Sequence, residues 1–296
     1  MISPLTLPSP VHRLNCLSRQ WQVDLWAKRD DLIPQFFGGN KVRKAFGILS
    51  KMKKLPNVLI TNGGSESNHA RVVALMGAQE NREVHLVLHG TTKKRGGNRA
   101  LCVRAGAVLH HVSPGEVADK IAAIKKNQIE QGRTVEVIPG GGHTVEGAKA
   151  YAKAVSELPF DPDYIVHASG TGGTQAGLIL GVTKYGLKAK ILGVSVARLG
   201  NRGRREVEML LPKKLHSLVS FDDRFRFGGY EQTTPELNQF ISWVLKTEGI
   251  PMDPTYTGKA MYALAKMIDC GEIKRGSRVL FWHTGGLMNL LATEFH

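Results

Sequence analysis

Short apolar runs alternate with stretches of helical spacing through the middle of the chain. The runs at 58–61, 84–89, 135–138 and 164–168 have strand length and lead into helical stretches at 68–78, 98–105, 145–158 and 174–185. A fifth run, 191–196, ends in the charged stretch 198–205. This strand–helix rhythm predicts parallel sheets flanked by helices, an α/β fold. Ligands in such folds bind at the loops that follow the carboxyl ends of strands. Glycine clusters stand at several of those loops: Gly63-Gly64, Gly140–Gly142 and Gly172-Gly173, with Gly38-Gly39 and Gly285-Gly286 nearer the chain ends. Glycine is favoured where a backbone must approach something closely or take positive φ.

A length of 296 residues predicts about two domains and a cleft between them. Hydrophobic residues at 42% and charged residues at 22% are globular values and exclude a disordered or fibrous protein. The uncharged stretch 164–183 has the length of a membrane span, but its glycines and hydroxyls read better as strand, loop and helix. Cys16, Cys102 and Cys270 are widely spaced, which argues for a reducing compartment and against a cysteine zinc site. The first residues lack an apolar core segment, so no signal peptide is expected. A soluble, cytoplasmic protein is the expectation. Forty Lys and Arg against 25 Asp and Glu leave a net charge of +15, which suits either a polyanion partner or a solvated surface. The basic runs at 51–54, 93–95, 125–126, 202–205 and 213–214 are scattered and carry no interleaved aromatic platform. A nucleic-acid partner is therefore not expected.

Three segments could carry chemistry. Ser169-Gly170-Thr171-Gly172-Gly173-Thr174 lies between a strand and a helix, where converging backbone N–H groups could cradle a phosphate. It is not a Walker A loop, since no lysine follows before Lys184, nor a dinucleotide fingerprint, since Gln175 replaces the third glycine. A hydroxyl-lined cup for a phosphate monoester remains, beside the plainer reading of a tight strand–helix turn. Gly38-Gly39-Asn40-Lys41 follows Lys28-Arg29-Asp30-Asp31, and Lys41 would open a helix running to Leu49. A lysine there suits Schiff-base chemistry if its surroundings lower its pKa; otherwise it is merely solvated. Gly63-Gly64-Ser65-Glu66-Ser67-Asn68-His69 offers hydroxyls, an amide and N–H groups to a carboxylate, or simply caps a helix. His85 and His89 would share a strand face without further ligands, and His110-His111 read as strand-end residues, so no metal is expected. No Gly-x-Ser-x-Gly elbow occurs.

Taken in order, the motifs KRDDL…GGNKVRK, GGSESNHAR, IPGGG…GAKAY, ASGTGGTQAGL, MDPTYTGKAM and HTGG resemble the pyridoxal-phosphate enzymes of the tryptophan-synthase β-like fold, fold type II. Within that fold they are most similar to the D-cysteine desulfhydrase and 1-aminocyclopropane-1-carboxylate (ACC) deaminase group, over about residues 8–290. The resemblance implies two domains of open twisted sheets: a large cofactor-binding one from 1–41 and 143–296, and a small one from 42–142. It also implies a homodimer, a small amino-acid substrate and pyridoxal 5'-phosphate between the domains. Lys41 would carry the cofactor as a Schiff base and move the substrate Cα proton. Asn68 would bond the ring hydroxyl, and Ser67, Asn68 and His69 would hold the substrate carboxylate, with Ser67 assisting proton transfer. Gly170, Thr171, Gly172, Gly173 and Thr174 would bind the phosphate, Tyr256 would lie near the reacting group, and Thr284 would face the pyridine nitrogen.

A threonine there cannot hold the ring as a charged pyridinium, which suits β-elimination, where a thiolate departs with the electrons. ACC deaminases typically carry Glu at the position of Thr257 and Leu at that of Thr284. Both differences imply a D-cysteine desulfhydrase-like lyase yielding pyruvate, sulfide and ammonia. The alternatives are an ACC deaminase, a lyase or deaminase for another small amino acid such as D-serine, or a basic nucleic-acid-binding protein on an inactive enzyme scaffold. Further departures are Glu66 in place of Gln, expected to put a negative charge beside the carboxylate site, His143 in place of Ser, and shortened loops at 91–98 and 197–205.

Overall fold

The computed structural model describes residues 4–90 and 96–292 of the chain. The basic run 93–95 and most of the shortened 91–98 loop lie outside the described residues. Ten strands form two sheets: β1 Val11–Arg13, β2 Asp24–Arg29, β3 Val58–Gly64, β4 Glu83–His89, β5 Val108–Val112, β6 Val135–Ile138, β7 Tyr164–Ser169, β8 Lys190–Ser195, β9 Ser220–Asp222 and β10 Arg278–His283. The first sheet has six strands in the order β1-β2-β10-β7-β8-β9, and the second has four in the order β5-β4-β3-β6. Every pairing is parallel except β1 with β2. The helices are α1 Asn15–Trp21, α2 Asn40–Leu49, α3 Asn68–Gln79, α4 Asn98–Arg104, α5 Val117–Glu130, α6 Val145–Ala152, α7 Gly173–Tyr185, α8 Gly200–Glu208, α9 Pro235–Glu248, α10 Thr257–Asp269 and α11 Leu287–Leu291.

Parallel strands covered on both faces read as near-continuous apolar runs, and β10 shows why. Alternate residues of a strand face opposite sides. Val279 and Phe281 join a core with Leu17 of α1, Leu237 and Ile241 of α9, and Met261 and Leu264 of α10. Leu280 and Trp282 join the opposite core with Tyr151 of α6 and Ile179 of α7. The four-stranded sheet buries Leu59 and Leu86 against Val42, Ala45 and Leu49 of α2 and Val72 and Met76 of α3. Its other face packs Val58, Ile60 and Val87 on Ile124 of α5.

Three local expectations change. β3 runs on to Gly64 because Asn62–Gly64 stay in register with Val87–His89 of β4. The helix predicted over 145–158 ends at Ala152 and tightens into a 3-10 turn, Lys153–Glu157, which delivers Glu157 to Lys28 and Arg43. His110 and His111 lie inside β5, and His110 Nε2 sits 2.9 Å from Nδ1 of His85. The uncharged stretch 164–183 is β7, a loop and α7; no helix among the described residues is long and apolar enough to cross a membrane.

A buried polar network joins the elements nearest the strand ends. Asp30 is fully buried and accepts from Arg43 Nη2 (2.8 Å), Ser9 Oγ (2.7 Å), Tyr151 Oη (2.5 Å) and Trp282 Nε1 (2.9 Å). Burial pushes its carboxyl pKa up, but the Arg43 charge and these bonds more than offset that and hold it below the ordinary value. Arg43 also bonds both oxygens of Glu157, which in turn takes Lys28 Nζ at 2.6 Å.

Helices α6 and α7 approach through glycine. A Cβ on Gly177 would stand 2.6 Å from Tyr151 Cβ and 2.7 Å from the Ala148 carbonyl oxygen. Alanine normally stabilises a helix interior relative to glycine by about 1 kcal/mol. At this contact overpacking reverses the sign, so Gly177→Ala is expected to destabilise by about 1–3 kcal/mol, read by denaturant or thermal unfolding.

Candidate active site

Four loops that leave strand carboxyl ends converge on one cavity. The loop after β2 brings Asn40 and Lys41, that after β3 brings Asn68, that after β7 brings Gly170, Thr171, Gly172 and Thr174, and that after β10 brings Thr284 and Gly285. Tyr256, just before α10, completes the lining. The approach to Lys41 is unusual: Phe36, Phe37, Gly38 and Gly39 all take positive φ. The turn is held by Gly39 N–H on the Asp30 carbonyl (2.7 Å) and Asn40 N–H on the Thr284 carbonyl (3.0 Å). Arg71 Nη2 braces the Gly38 carbonyl at 3.1 Å.

Lys41 is partly exposed into the cavity, yet protein surrounds its amine. That desolvation pulls its pKa down to about 8; the neighbouring Lys44 amine works against the shift, and the nearby Arg198 charge adds to it. Lys44, three residues on and so on the same helix face, is fully buried. Its Nζ meets no carboxylate or carbonyl within bonding distance. Burial and the Lys41 charge place its pKa well below the usual lysine value. The same Nζ lies 3.2 Å from where a Cβ on Gly173 would stand, at the start of α7. Thr171 Oγ1 is likewise buried without a partner, and Asn40 Nδ2 bonds Thr174 Oγ1 at 2.9 Å. Arg198 donates to the Gly170 carbonyl.

Ser67, His69 and Gly173 do not line the cavity. Ser67 caps α3, its Oγ accepting from Ala70 N–H at 3.2 Å. His69 is buried, neither ring nitrogen has a partner, and burial together with Lys41 and Lys44 keeps it neutral. Glu66 does not put its charge where the sequence suggested: the carboxylate turns to α4, accepting the backbone N–H of Asn98 (2.9 Å) and Arg99 (3.3 Å). His143 bonds the Glu206 carbonyl at 2.9 Å and so joins the Gly140–Gly142 turn to α8. Thr257 is spent on Asp253, at 2.8 Å, in the turn that fixes Tyr256. Gln175, in place of a third glycine, is buried, accepts from Ser169 Oγ and fills the space beside Gly193.

Tyr230 is absent from the sequence reading. Its hydroxyl accepts from Tyr256 Oη at 3.0 Å, and its ring lies 2.8 Å from where a Cβ on Gly64 would stand. Burial raises the pKa of both phenols, keeping them protonated. The Gly228-Gly229 pair just before it was the available signal; for Lys44 it was the spacing from Lys41.

Comparison with known proteins places the whole chain in a family. The family described as "Pyridoxal-phosphate dependent enzyme" matches residues 2–285. The chain belongs to that family. It is 33% identical over 315 residues to the mitochondrial bifunctional D-cysteine desulfhydrase/ACC deaminase of Arabidopsis thaliana, covering 96% of this chain and 77% of that one. It is 31% identical over 314 residues to D-cysteine desulfhydrase of Klebsiella pneumoniae, covering 98% and 94%. The solved structure of an ACC deaminase homologue matches with a TM-score of 0.87 at 32% identity, covering 97% of this chain and 92% of the other. The protein is thus a pyridoxal-phosphate enzyme of the ACC deaminase and D-cysteine desulfhydrase group.

The residues present fit the cofactor. A buried amine and a buried hydroxyl without partners, at a glycine loop heading α7, are donors suited to a phosphate dianion. Lys41, its pKa lowered, is the amine suited to the aldehyde.

Three outcomes follow. Capture of pyridoxal phosphate by cofactor-free protein should accelerate with pH up to about 8 and then level, whereas a solvated lysine would keep accelerating towards 10.5; stopped-flow absorbance reads this. Lys44→Met removes a buried amine without a partner, so the cofactor-free protein should melt higher than wild type. The same variant should bind pyridoxal phosphate about tenfold more weakly, with the affinity for phosphate-free pyridoxal unchanged.

Proposed function

We propose that the protein is a D-cysteine desulfhydrase-like lyase: D-cysteine and water give pyruvate, hydrogen sulfide and ammonia. The observation that carries this reading is the absence of Asp or Glu among the described residues lining the cavity, with Thr284 at the end of β10 offering only a hydroxyl. Pyridoxal phosphate, when bound, supplies the electron sink that acidifies the amino acid's Cα–H. Without an acid beside the ring nitrogen that sink is weak, which favours a substrate whose own β-substituent leaves with the electrons. Thiolate is such a leaving group. Two relatives named for D-cysteine desulfhydration support the same choice.

Lys41 Nζ is the base for the Cα proton, and its lowered pKa leaves a useful neutral fraction near neutral pH. Lys44 Nζ, Thr171 Oγ1, Thr174 and the N–H groups opening α7 hold the phosphate. Asn68 bonds the ring oxygen. Ser67, which caps α3, and His69, buried behind the lining, shape the loop that takes the carboxylate. Tyr256, protonated and lining the cavity, is the group that would meet the side chain of the substrate, and Tyr230 accepts its hydroxyl hydrogen from behind.

Purified holoenzyme is assayed with D-cysteine, L-cysteine, D-serine and ACC. Sulfide release from D-cysteine with kcat/KM at least about tenfold above every other substrate is expected. Faster 2-oxobutanoate formation from ACC would overturn the assignment in favour of a deaminase.

A further inference from the structure

We propose that Asn98 is a positioning residue for the cofactor: it sets the orientation of the Asn68 amide, so that Asn68 donates rather than accepts inside the cavity. The inference rests on the reading of Asn68 as the partner of the cofactor's ring oxygen.

Asn98 opens α4 and is fully buried. Its side-chain nitrogen has two hydrogens to share among three oxygens within bonding distance: the Glu66 carbonyl at 3.0 Å, Asn68 Oδ1 at 3.1 Å and Asn289 Oδ1 at 2.5 Å. The two ends of an amide have nearly the same shape, so only their partners decide which way it points. The Glu66 carbonyl decides here, because a backbone oxygen accepts and never donates. The nitrogen of Asn98 must therefore face it, and the atom of Asn68 meeting that nitrogen must be oxygen. Asn68 Nδ2 is left on the cavity side, where no described protein group bonds it. Were Asn98 turned over, its oxygen would face the Glu66 carbonyl oxygen at 3.0 Å, acceptor against acceptor, and no rotation of the neighbouring amides relieves that.

The Glu66 side chain secures the arrangement. Its carboxylate accepts the backbone N–H of Asn98 and of Arg99, which fixes where α4 begins. A carboxylate oxygen accepts, so it faces these N–H groups without turning a donor towards them. An amide at this position could turn a donor towards them. Asn289 belongs to α11, so Asn98 also ties the loop after β3 to the end of the chain that carries Thr284. A donor at residue 68 stabilises a negatively charged ring oxygen, whereas an acceptor would oppose it.

The test uses holoenzyme of Asn98→Ala, Asn68→Ala and the double variant. Readouts are the pyridoxal phosphate dissociation constant and the pH midpoint of the bound cofactor's visible band. Asn98→Ala keeps its backbone bond to Glu66; Asn98→Ser replaces it if it fails to fold. Asn98→Ala is expected to weaken cofactor binding about fivefold and to move the midpoint in the same direction as Asn68→Ala. Added to Asn68→Ala, it should change the affinity less than about twofold, since the group it orients is gone. A merely structural role would carry its full effect into the double variant, and that result overturns the proposal. So does an Asn98→Ala holoenzyme matching wild type while Asn68→Ala is shifted. If Asn68→Ala itself matches wild type, the reading of Asn68 falls and this inference with it, while Lys41 and the phosphate cup stand.

Discussion

The buried pair of Asp30 and Arg43 is the constraint on which the rest depends. Helix residues two apart project about 200° from each other, so α2 presents Lys41 to the cavity and Arg43 to the opposite side. Arg43 there meets Asp30 from the end of β2 and Glu157 from the turn after α6, while Asp30 collects Tyr151 of α6 and Trp282 of β10. Three separate stretches, the end of β2, α6 with the turn after it, and β10, thus agree on where α2 stands. Leaving one partner of such a pair alone in the interior costs about 3–5 kcal/mol, which makes the arrangement close to all-or-none. A helix so held can carry a reactive amine whose position does not drift.

The cavity shows the opposite economy. Lys41, Lys44 and Arg198 gather there with neutral His69 and His167, and no carboxylate answers them among the lining residues. Such a collection opposes folding, as do four successive positive-φ residues leading to Lys41. An anion at the head of α7, where the proposed phosphate cup lies, would relieve the electrostatic part. The Asp30 network and the tight α6–α7 contact supply rigidity that compensates for this destabilised site.

Contacts across the mouth join the two sheets. Tyr230, tethered near Lys259, whose amine bonds the Arg226 and Gly229 carbonyls, presses on Gly64. Asn98 reaches Asn289 from the other side. Both touch the loop that carries Asn68, so the same few contacts that join the two sheets also fix that loop beside the cavity.

Local sequence was enough for the features that depend on near neighbours. Strand–helix rhythm from 58 to 205, the glycine and hydroxyl loop heading α7, and Lys41 at the start of α2 all follow from periodicity, spacing and turn chemistry within a few residues. Six motifs in order added the family and the cofactor. What the chain did not disclose involves partners far apart: Tyr230 meets Gly64, Asn98 meets Asn68 and Asn289, and Gln175 fills the space over Gly193. Glu66 is the clearest case. Its sequence neighbours placed a charge beside the substrate, yet its carboxylate caps a helix thirty-two residues away. Backbone conformation is decided by nearby atoms and can be read locally, whereas the direction of a polar side chain is decided by whichever distant donors folding brings within 3 Å or so of it.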